Sequence, residues 1–250
     1  MQVTIIDTEG NTTEEIDLPS IFETPYRPDL IRKAVEVAAA NKTQPYGADP
    51  FAGKRTSAES PGAGLGRARI PRSNNRARRV PQAVGGRKAH PPKAETDRGK
   101  DINRQERQLA TRSAIGATAD VDLVGDRGHV FDEGLNLPIV VDDEIGEINR
   151  TQDVLAVLEA IGVAGDVERA DEGRTVRAGR GTTRGRKYKQ PTSILVVTDS
   201  ETGLSRGARN LAGVDVATAR EVNVSDLAPG GHAGRLTIWT ESAIEEVADR

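Results

Sequence analysis

Short apolar runs alternate with helix-type patterns in the second half of the chain. Short segments rich in apolar residues predict strands at residues 139–141, 163–167, 194–198, 214–217 and 236–240. Apolar residues at helical spacing predict helices at residues 152–161, 205–211 and 241–248. Thr151 is expected to cap the first of these helices, and Gly162 to close it. Such alternation predicts an α/β fold, here a three-layer α/β/α domain with a mainly parallel sheet.

The first half of the chain predicts a hairpin and two helices. Residues 3–7 and 15–18 have the pattern of two strands joined by a turn at residues 10–11. Asp29 is placed to cap a helix over residues 30–41, whose apolar face consists of Ile31, Ala34, Val35 and Ala38. Asn103 and Glu106 have capping-box spacing at the start of a second helix, which is expected to run to about residue 119.

Residues 46–96, between these two helices, have no periodic apolar pattern, and we call them the basic loop. Their glycines and prolines would break a helix or a central strand, so a long extended loop without its own core is predicted. Within it, residues 54–93 hold eleven Lys and Arg against one acid, Glu59, a formal charge of +10. A loop of this length is usually functional or disordered, and its charge favours order acquired on RNA or DNA.

Residues 173–190, which we call the basic insert, form a second positive stretch. They carry seven positive charges and no acid. Because the two stretches carry +10 and +7 within a net charge of −3, the remainder has a formal charge of −20. We therefore expect one acidic α/β domain, residues 1–250, with two basic segments inserted in it.

The amino-acid composition indicates the cellular compartment of the protein and excludes several kinds of chemistry. An acidic body with 27 Arg and 8 Lys is typical of organisms that keep molar salt in the cytoplasm, although a GC-rich genome also favours Arg. The absence of cysteine excludes disulfides, thiol chemistry and Cys-based zinc sites. No apolar run reaches about 18 residues and no signal peptide is recognised, so a cytoplasmic protein without membrane contact is expected.

Enzyme motifs are weak. Residues 47–54, GADPFAGK, have five rather than four residues between the glycines of a phosphate loop, and Arg55 stands where Ser or Thr is needed. The glycines at 62, 64 and 66 lack the flanking strand and helix of a dinucleotide site and are interpreted as flexible positions. No Ser-His-Asp set or nucleophile elbow is visible, and no catalytic residue is predicted.

Candidate ligand residues have simpler interpretations. His90, His129 and His232 have no metal-ligand spacing and are interpreted as loop residues. The acids at 142–144 follow a strand where α/β folds often bind ligands, but in an acidic body they are interpreted as a solvated face. We expect neither a cofactor nor a metal.

The two basic segments have few aromatic residues, which limits base stacking and favours recognition of RNA backbone and shape. A solvated charge run is the alternative. Glycine permits close approach of backbone to phosphate, and proline lowers the entropy lost on ordering. From the residues alone, an α/β enzyme acting on phosphorylated substrates and a general nucleic-acid-binding protein stay open as other functions.

Six segments together resemble a known family. In chain order they are IFETPYRPDLIRKAV, RVPQAVGGRKAHPPK, RQERQLATRSAIGATA, GRGTTRGRKYKQPTSILVV, RNLAGVDVA and LAPGGHAGRLTIWTESA. Their order and spacing resemble the large-subunit ribosomal protein L four family in its archaeal form. The resemblance implies a body on the subunit exterior and a loop that threads through 23S rRNA to the wall of the peptide exit tunnel. It implies as partners 23S rRNA, other large-subunit proteins and the nascent polypeptide.

The predicted rRNA-binding residues are the basic and family-matched positions of the two segments. In the basic loop they are Lys54, Arg55, Arg67, Arg69, Arg72, Arg76, Arg78, Arg79, Gln82, Arg87, Lys88, His90 and Lys93. In the basic insert they are Arg180, Arg184, Arg186, Lys187, Tyr188 and Lys189. Two positions depart from the family pattern, since Pro61 replaces an aromatic residue and Leu65 stands where a basic residue is common.

Overall fold

The chain divides into two compact units in a computed structural model that describes residues 1–132 and 134–248. The first unit, which we call the body, consists of Met1–Ala39 and Asp101–Arg250. The second unit, Ala40–Lys100, contains the basic loop.

The strands are mostly short. In chain order they are β1 (Gln2–Ile6), β2 (Thr12–Asp17), β3 (Arg72–Ser73), β4 (Arg76–Ala77), β5 (Ile139–Val141), β6 (Thr175–Val176), β7 (Tyr188–Lys189), β8 (Leu195–Thr198), β9 (Asp215–Thr218) and β10 (Thr237–Thr240). The helices are α1 (Pro28–Asn41), α2 (Arg104–Gly116), α3 (Val121–Asp126), α4 (Thr151–Ile161), α5 (Ala164–Glu172), α6 (Leu204–Ala208), α7 (Val224–Leu227) and α8 (Glu241–Ala248).

One sheet organises the body, with strand order β2-β1-β5-β10-β8-β9. The pairs β1–β5, β5–β10, β10–β8 and β8–β9 are parallel, and only the N-terminal hairpin β1–β2 is antiparallel within this sheet. Central strands β5, β8 and β10 are buried along their whole length, as expected for parallel strands covered on both faces. The mainly parallel sheet and the hairpin are confirmed.

Two apolar clusters cover the two faces of this sheet. Along β10, Trp239 belongs to one cluster and its neighbour Ile238 to the other, because successive strand residues point to opposite faces. Helices α1, α2, α7 and α8 supply the first cluster, and α4, α5 and α6 supply the second. The three-layer α/β/α architecture is therefore confirmed.

Trp239 is the largest fully buried side chain and packs edge-on against Phe22, with ring centroids 5.4 Å apart at 84°. Edge-to-face packing suits the ring quadrupoles, and truncation of a buried Trp to Ala usually costs about 3 to 5 kcal/mol. The central strand thus contributes strongly to the stability of the body.

Helix starts differ from the sequence predictions at three places. Helix α1 begins at Pro28, whose ring fixes φ in the helical range, so Asp29 lies in the first turn and pairs with Arg27 at 2.8 Å. Thr151 is the first residue of α4 rather than its cap. Asn103 is the N-cap residue of α2, but its side chain makes no capping hydrogen bond. Gly162 closes α4 with φ +87° as predicted.

The predicted strand at residues 163–167 is wrong, because the chain there forms helix α5. Asp166, Val167 and Ala170 are buried in α5, which is the spacing of one helical face. Residues 163–167, VAGDV, are too few to distinguish a period of two from one of 3.6. Helix α5, and not a strand, therefore supplies Asp166 and Arg169 to the body.

Candidate nucleic-acid interface

The distal part of the basic loop is built on a small hairpin. Strands β3 and β4 pair around Asn74 and Asn75, which have φ values of +50° and +62°. A two-residue turn with two positive φ values matches the twist of the paired strands, and Asn tolerates this conformation better than most residues. Backbone hydrogen bonds in both directions between Glu59 and Arg72 place a third segment along the other edge of β3. The sequence did not predict this local order.

Residues 61–68 form a segment that leaves the paired strands and returns to them at nearly the same place. The Ser60 hydroxyl donates to the carbonyl oxygen of Arg69 at 3.1 Å, which closes the base of the segment. Gly62, Gly64 and Gly66 all have positive φ, while no heavy atom lies within 4 Å of a Cβ placed on any of them. The positive φ values, and not a lack of space for a side chain, therefore explain why glycine occupies these three positions.

Part of the positive charge of the basic loop is used inside the loop. Its guanidinium groups donate to loop acceptors in five cases: Arg55 to Asp49 (3.1 Å), Arg67 to the Asn75 side chain (3.0 Å), Arg72 to the Asn75 carbonyl (3.2 Å), Arg78 to the Val84 carbonyl (3.3 Å) and Arg79 to the Thr56 carbonyl (2.7 Å). Four of these acceptors are neutral oxygens, which leave the positive charge in place, whereas Arg55 forms an ion pair with Asp49. These arginines both shape the loop and keep it positive.

The other predicted basic residues of the loop are exposed. Their side chains make no hydrogen bond or ion pair within the described part of the chain, and they are Lys54, Arg69, Arg76, Arg87, Lys88 and Lys93. Gln82 and His90 are also exposed. Arg55 lies over the Phe51 ring at 5.7 Å, so one aromatic face of the loop is already covered by a cation.

The basic insert forms a hairpin of its own on the body. Strands β6 and β7 pair Thr175 with Lys189 and Val176 with Tyr188, and Arg177 N–H donates to the Lys187 carbonyl at 2.7 Å. All seven basic side chains of the insert are exposed and make neither a hydrogen bond nor an ion pair among the described residues. The insert therefore presents its entire positive charge to solvent.

Two cations of the insert lie near the Tyr188 ring. The Arg174 guanidinium carbon is 4.4 Å from the ring centroid and the Lys187 ammonium 5.3 Å from it. These contacts orient both cations, and each adds a modest attraction at an exposed site. Arg174 was not among the predicted binding residues, and only its place in the same charge run could have indicated it.

A buried group of Ser, His and Asp lies in the body but does not have catalytic geometry. Asp166 Oδ2 accepts hydrogen bonds from Ser193 Oγ at 2.8 Å and from His129 Nδ1 at 2.9 Å. In a catalytic triad the serine would contact the histidine, whereas here both contact the same carboxylate and Ser193 is fully buried. His129 is thus a buried structural residue, which its position in a Gly-bounded turn did not indicate.

Burial would raise the pKa of Asp166, but hydrogen bonds from His129 and Arg169, together with the charge of His129, hold it well below its usual range. Arg169 Nε donates to Asp166 Oδ1 at 2.8 Å, and the Val130 N–H donates to the same oxygen at 3.0 Å. The carboxylate is therefore satisfied by several donors, as a buried charge requires.

Other chemistry is not supported. Across residues 1–132 and 134–248 no group of three or more His, Asp or Glu side chains is arranged to hold a metal ion. No helix in the same residues is both long and apolar enough to span a bilayer. Asp143 and Glu144 are exposed, in line with the expected solvated face.

Comparison with known proteins assigns the family. Residues 16–250 match the model of the ribosomal protein L4/L1 family. The chain is similar to the large ribosomal subunit protein uL4 of Halorubrum lacusprofundi, with 65% identity over 100% of both chains. It is also similar to the uL4 proteins of Halobacterium salinarum (62%, 100% of both chains) and Methanocaldococcus jannaschii (51%, 100% of this chain and 99% of the relative). The archaeal resemblance inferred from the sequence, of halophile type, is confirmed, and the chain belongs to the ribosomal protein L4/L1 family.

Proposed function

We propose that this protein binds 23S rRNA through the basic loop and the basic insert, and that the distal basic loop contributes to the wall of the polypeptide exit tunnel. As a member of its family the protein is a structural constituent of the large ribosomal subunit, acts in the cytoplasm within the ribosome and is not an enzyme. Its partners there are rRNA and other ribosomal proteins. The nascent polypeptide is the further partner that we propose.

The observation that carries this proposal is the concentration of exposed cations, most of them without hydrogen-bond partners among the described residues, in two segments of an otherwise acidic chain. Lys and Arg that neutralise phosphates release counterions, which supplies most of the sequence-independent affinity for RNA. Arg outnumbers Lys in both segments, and its planar fork forms directional bonds to phosphate. Directional bonds matter most where high salt weakens simple charge attraction.

The proposed tunnel role belongs to residues 61–68. This segment contains one charged residue, Arg67, and its exposed Leu65 (62%) faces solvent. Ordering such a segment on RNA would cost about 1 to 2 kcal/mol per residue in backbone entropy, with little charge to offset it. A segment of this kind is better suited to a surface that a passing chain contacts than to an anchor.

A cross-linking experiment tests the tunnel role. A photo-reactive phenylalanine analogue replaces Leu65 in ribosomes that carry a stalled, radiolabelled nascent chain. The matched control places the same analogue at Val176 of the basic insert, which is 60% exposed. We expect cross-links to the nascent chain from position 65 and none from position 176. Ribosomes that contain the protein but yield no nascent-chain adduct at position 65 would contradict the proposal.

A further inference from the structure

A cleft of about 550 Å³ opens on the body at the root of the basic insert. Its lining includes Tyr26, Arg127, His129, Arg169, Thr192 and His232, together with the exposed acid Asp126. This volume falls within the range of pockets that hold small ligands. Thr192 and Pro191 of the wall directly follow the insert, and Pro191 is also packed closely on Gly173, where the insert begins.

Arg127 is the unusual group in this cleft. It is half-buried, and its guanidinium donates to the carbonyl oxygens of His232 and Pro229. In the described part of the chain it has no carboxylate partner. Burial lowers the pKa of Arg127 to about 10, and the nearby charges of Arg235 and Arg169 act in the same direction. Arg169 and Arg235 each pair with a carboxylate, at 2.8 and 2.6 Å, so Arg127 is the partly buried cation of this group that an added anion would stabilise.

Two further polar groups of the cleft, Arg169 and His129, are held in place by hydrogen bonds. Arg169 bridges Asp166 and the Thr192 carbonyl, which it contacts at 2.9 Å through Nη2. His129 is fixed by Asp166 through Nδ1, while its buried Nε2 has no hydrogen-bond partner within the described residues. Groups that are already fixed lose little entropy when a ligand binds.

We propose that this cleft binds one nucleotide of RNA, with its phosphate at Arg127 and its base against Tyr26. Tyr26 is 43% exposed at the cleft, and an exposed aromatic ring is a stacking surface for an unstacked base. RNA is favoured over an acidic peptide because the wall of the cleft continues into the basic insert, so a strand bound by the insert passes the cleft. The proposal rests on the proposed rRNA binding by that insert.

Cross-linking in assembled subunits identifies the occupant. A photo-reactive phenylalanine analogue replaces His232, which is exposed in the cleft, and the control carries it at Val130, which is 49% exposed and outside the cleft. We expect position 232 to form an adduct with 23S rRNA at one nucleotide, and position 130 to form none there. An adduct only with a protein, or no adduct at position 232, would overturn the proposal.

Binding of the full-length protein to deproteinised 23S rRNA separates the two contacts. Arg127→Gln should lower affinity about tenfold and reduce the slope of log K against log salt by about 0.7 to 0.9, as expected for the loss of one phosphate contact. Tyr26→Ala should lower affinity at least about fivefold without changing that slope, and Tyr26→Phe should retain affinity. Arg209→Gln removes one positive charge at the exposed end of a helix in the body and should alter neither the affinity nor the slope.

Unchanged affinity and slope for Arg127→Gln, or equal affinities for Tyr26→Ala and wild type, would overturn the nucleotide site. Arg127 also donates to two carbonyl oxygens, so the thermal unfolding of Arg127→Gln is compared with that of the wild type without RNA. If Arg127→Gln unfolds at a lower temperature, the comparison of Tyr26→Ala with Tyr26→Phe provides the test. Normal binding by these variants together with lost binding by insert variants would refute the cleft and leave the proposed function intact.

Discussion

The basic loop and the basic insert carry the same kind of charge but use it differently. In the loop, five arginines donate hydrogen bonds to loop acceptors, so part of its charge also maintains its shape. In the insert, no basic side chain makes such a bond among the described residues, and a two-stranded hairpin holds all seven at the body. Short, pre-ordered segments lose less entropy on binding, so we expect the insert to contribute more affinity per residue.

The largest expected effect comes from the insert. Arg184→Ala, Arg186→Ala and Lys187→Ala combined should weaken binding to deproteinised 23S rRNA about a thousandfold at low salt, since three charge-assisted contacts are lost. The slope of log K against log salt should fall by about 2 to 3, as expected for three lost phosphate contacts. Titrations over a range of KCl concentrations measure both quantities.

The control for this prediction removes three exposed arginines from the body, Arg150, Arg206 and Arg209, and so changes net charge equally. It should leave the salt slope close to wild type. An equal loss in both triple variants would mean that net charge, and not the insert, determines binding.

The next effect concerns the root of the insert. Asp166→Asn removes the charge that holds His129, Arg169 and Ser193, and loss of one partner of a buried ion pair should lower the free energy of unfolding at pH 7 by about 3 kcal/mol. Because Arg169 also holds the Thr192 carbonyl, amide exchange in residues 174–190 should accelerate. Denaturant unfolding and hydrogen exchange at constant high salt measure these changes.

Acid should reproduce part of this effect. Hydrogen bonds from His129 and Arg169 lower the folded-state pKa of Asp166 against the opposing effect of burial, so its stabilising contribution is complete above about pH 5 and is lost as pH falls toward the folded-state value. Asp166→Asn should therefore flatten the acid limb of the stability curve. Exposed Asp153→Asn is the control, and an acid limb that matches wild type in Asp166→Asn would contradict the assignment.

The sequence predicted the body better than the segments that leave it. Strands β5, β8 and β10 are rich in apolar residues and buried along their whole length, and such short apolar segments indicate buried parallel strands. Helix α5 was missed because residues 163–167 are too few to separate a period of two from one of 3.6. The runs of positive charge identified both basic segments. They did not show which arginines of the basic loop would donate hydrogen bonds to carbonyl oxygens of the same loop.

Contacts between distant residues were beyond the reach of local patterns. His129 and Asp166 lie 37 positions apart, and no spacing rule links a turn to a helix at that separation. The cleft could not be predicted for the same reason, because its lining comes from four separate parts of the chain, represented by Tyr26, Arg127, Arg169 and His232. The predicted domain limits and the predicted rRNA-binding residues stay predictions.

A smaller effect should come from the hairpin of the basic loop. Asn75→Val places a β-branched residue at φ +62°, which costs about 1 to 2 kcal/mol, whereas Asn75→Gly should be tolerated. Cross-strand nuclear Overhauser contacts between residues 72 and 77 report on the hairpin. Their survival in Asn75→Val at wild-type strength would mean that the turn does not determine this part of the loop.

Occupancy of two variants in large subunits tests the proposed division of labour most directly. One variant replaces residues 61–68 by Gly-Gly, which the contact between Ser60 and Arg69 allows, and the other is the triple insert variant. Each is expressed beside the wild-type protein, and sedimented large subunits are analysed by mass spectrometry. The shortened loop should enter subunits as well as wild type and alter translational stalling, while the insert variant should be depleted. Depletion of the shortened loop, or full occupancy by the insert variant, would contradict the account.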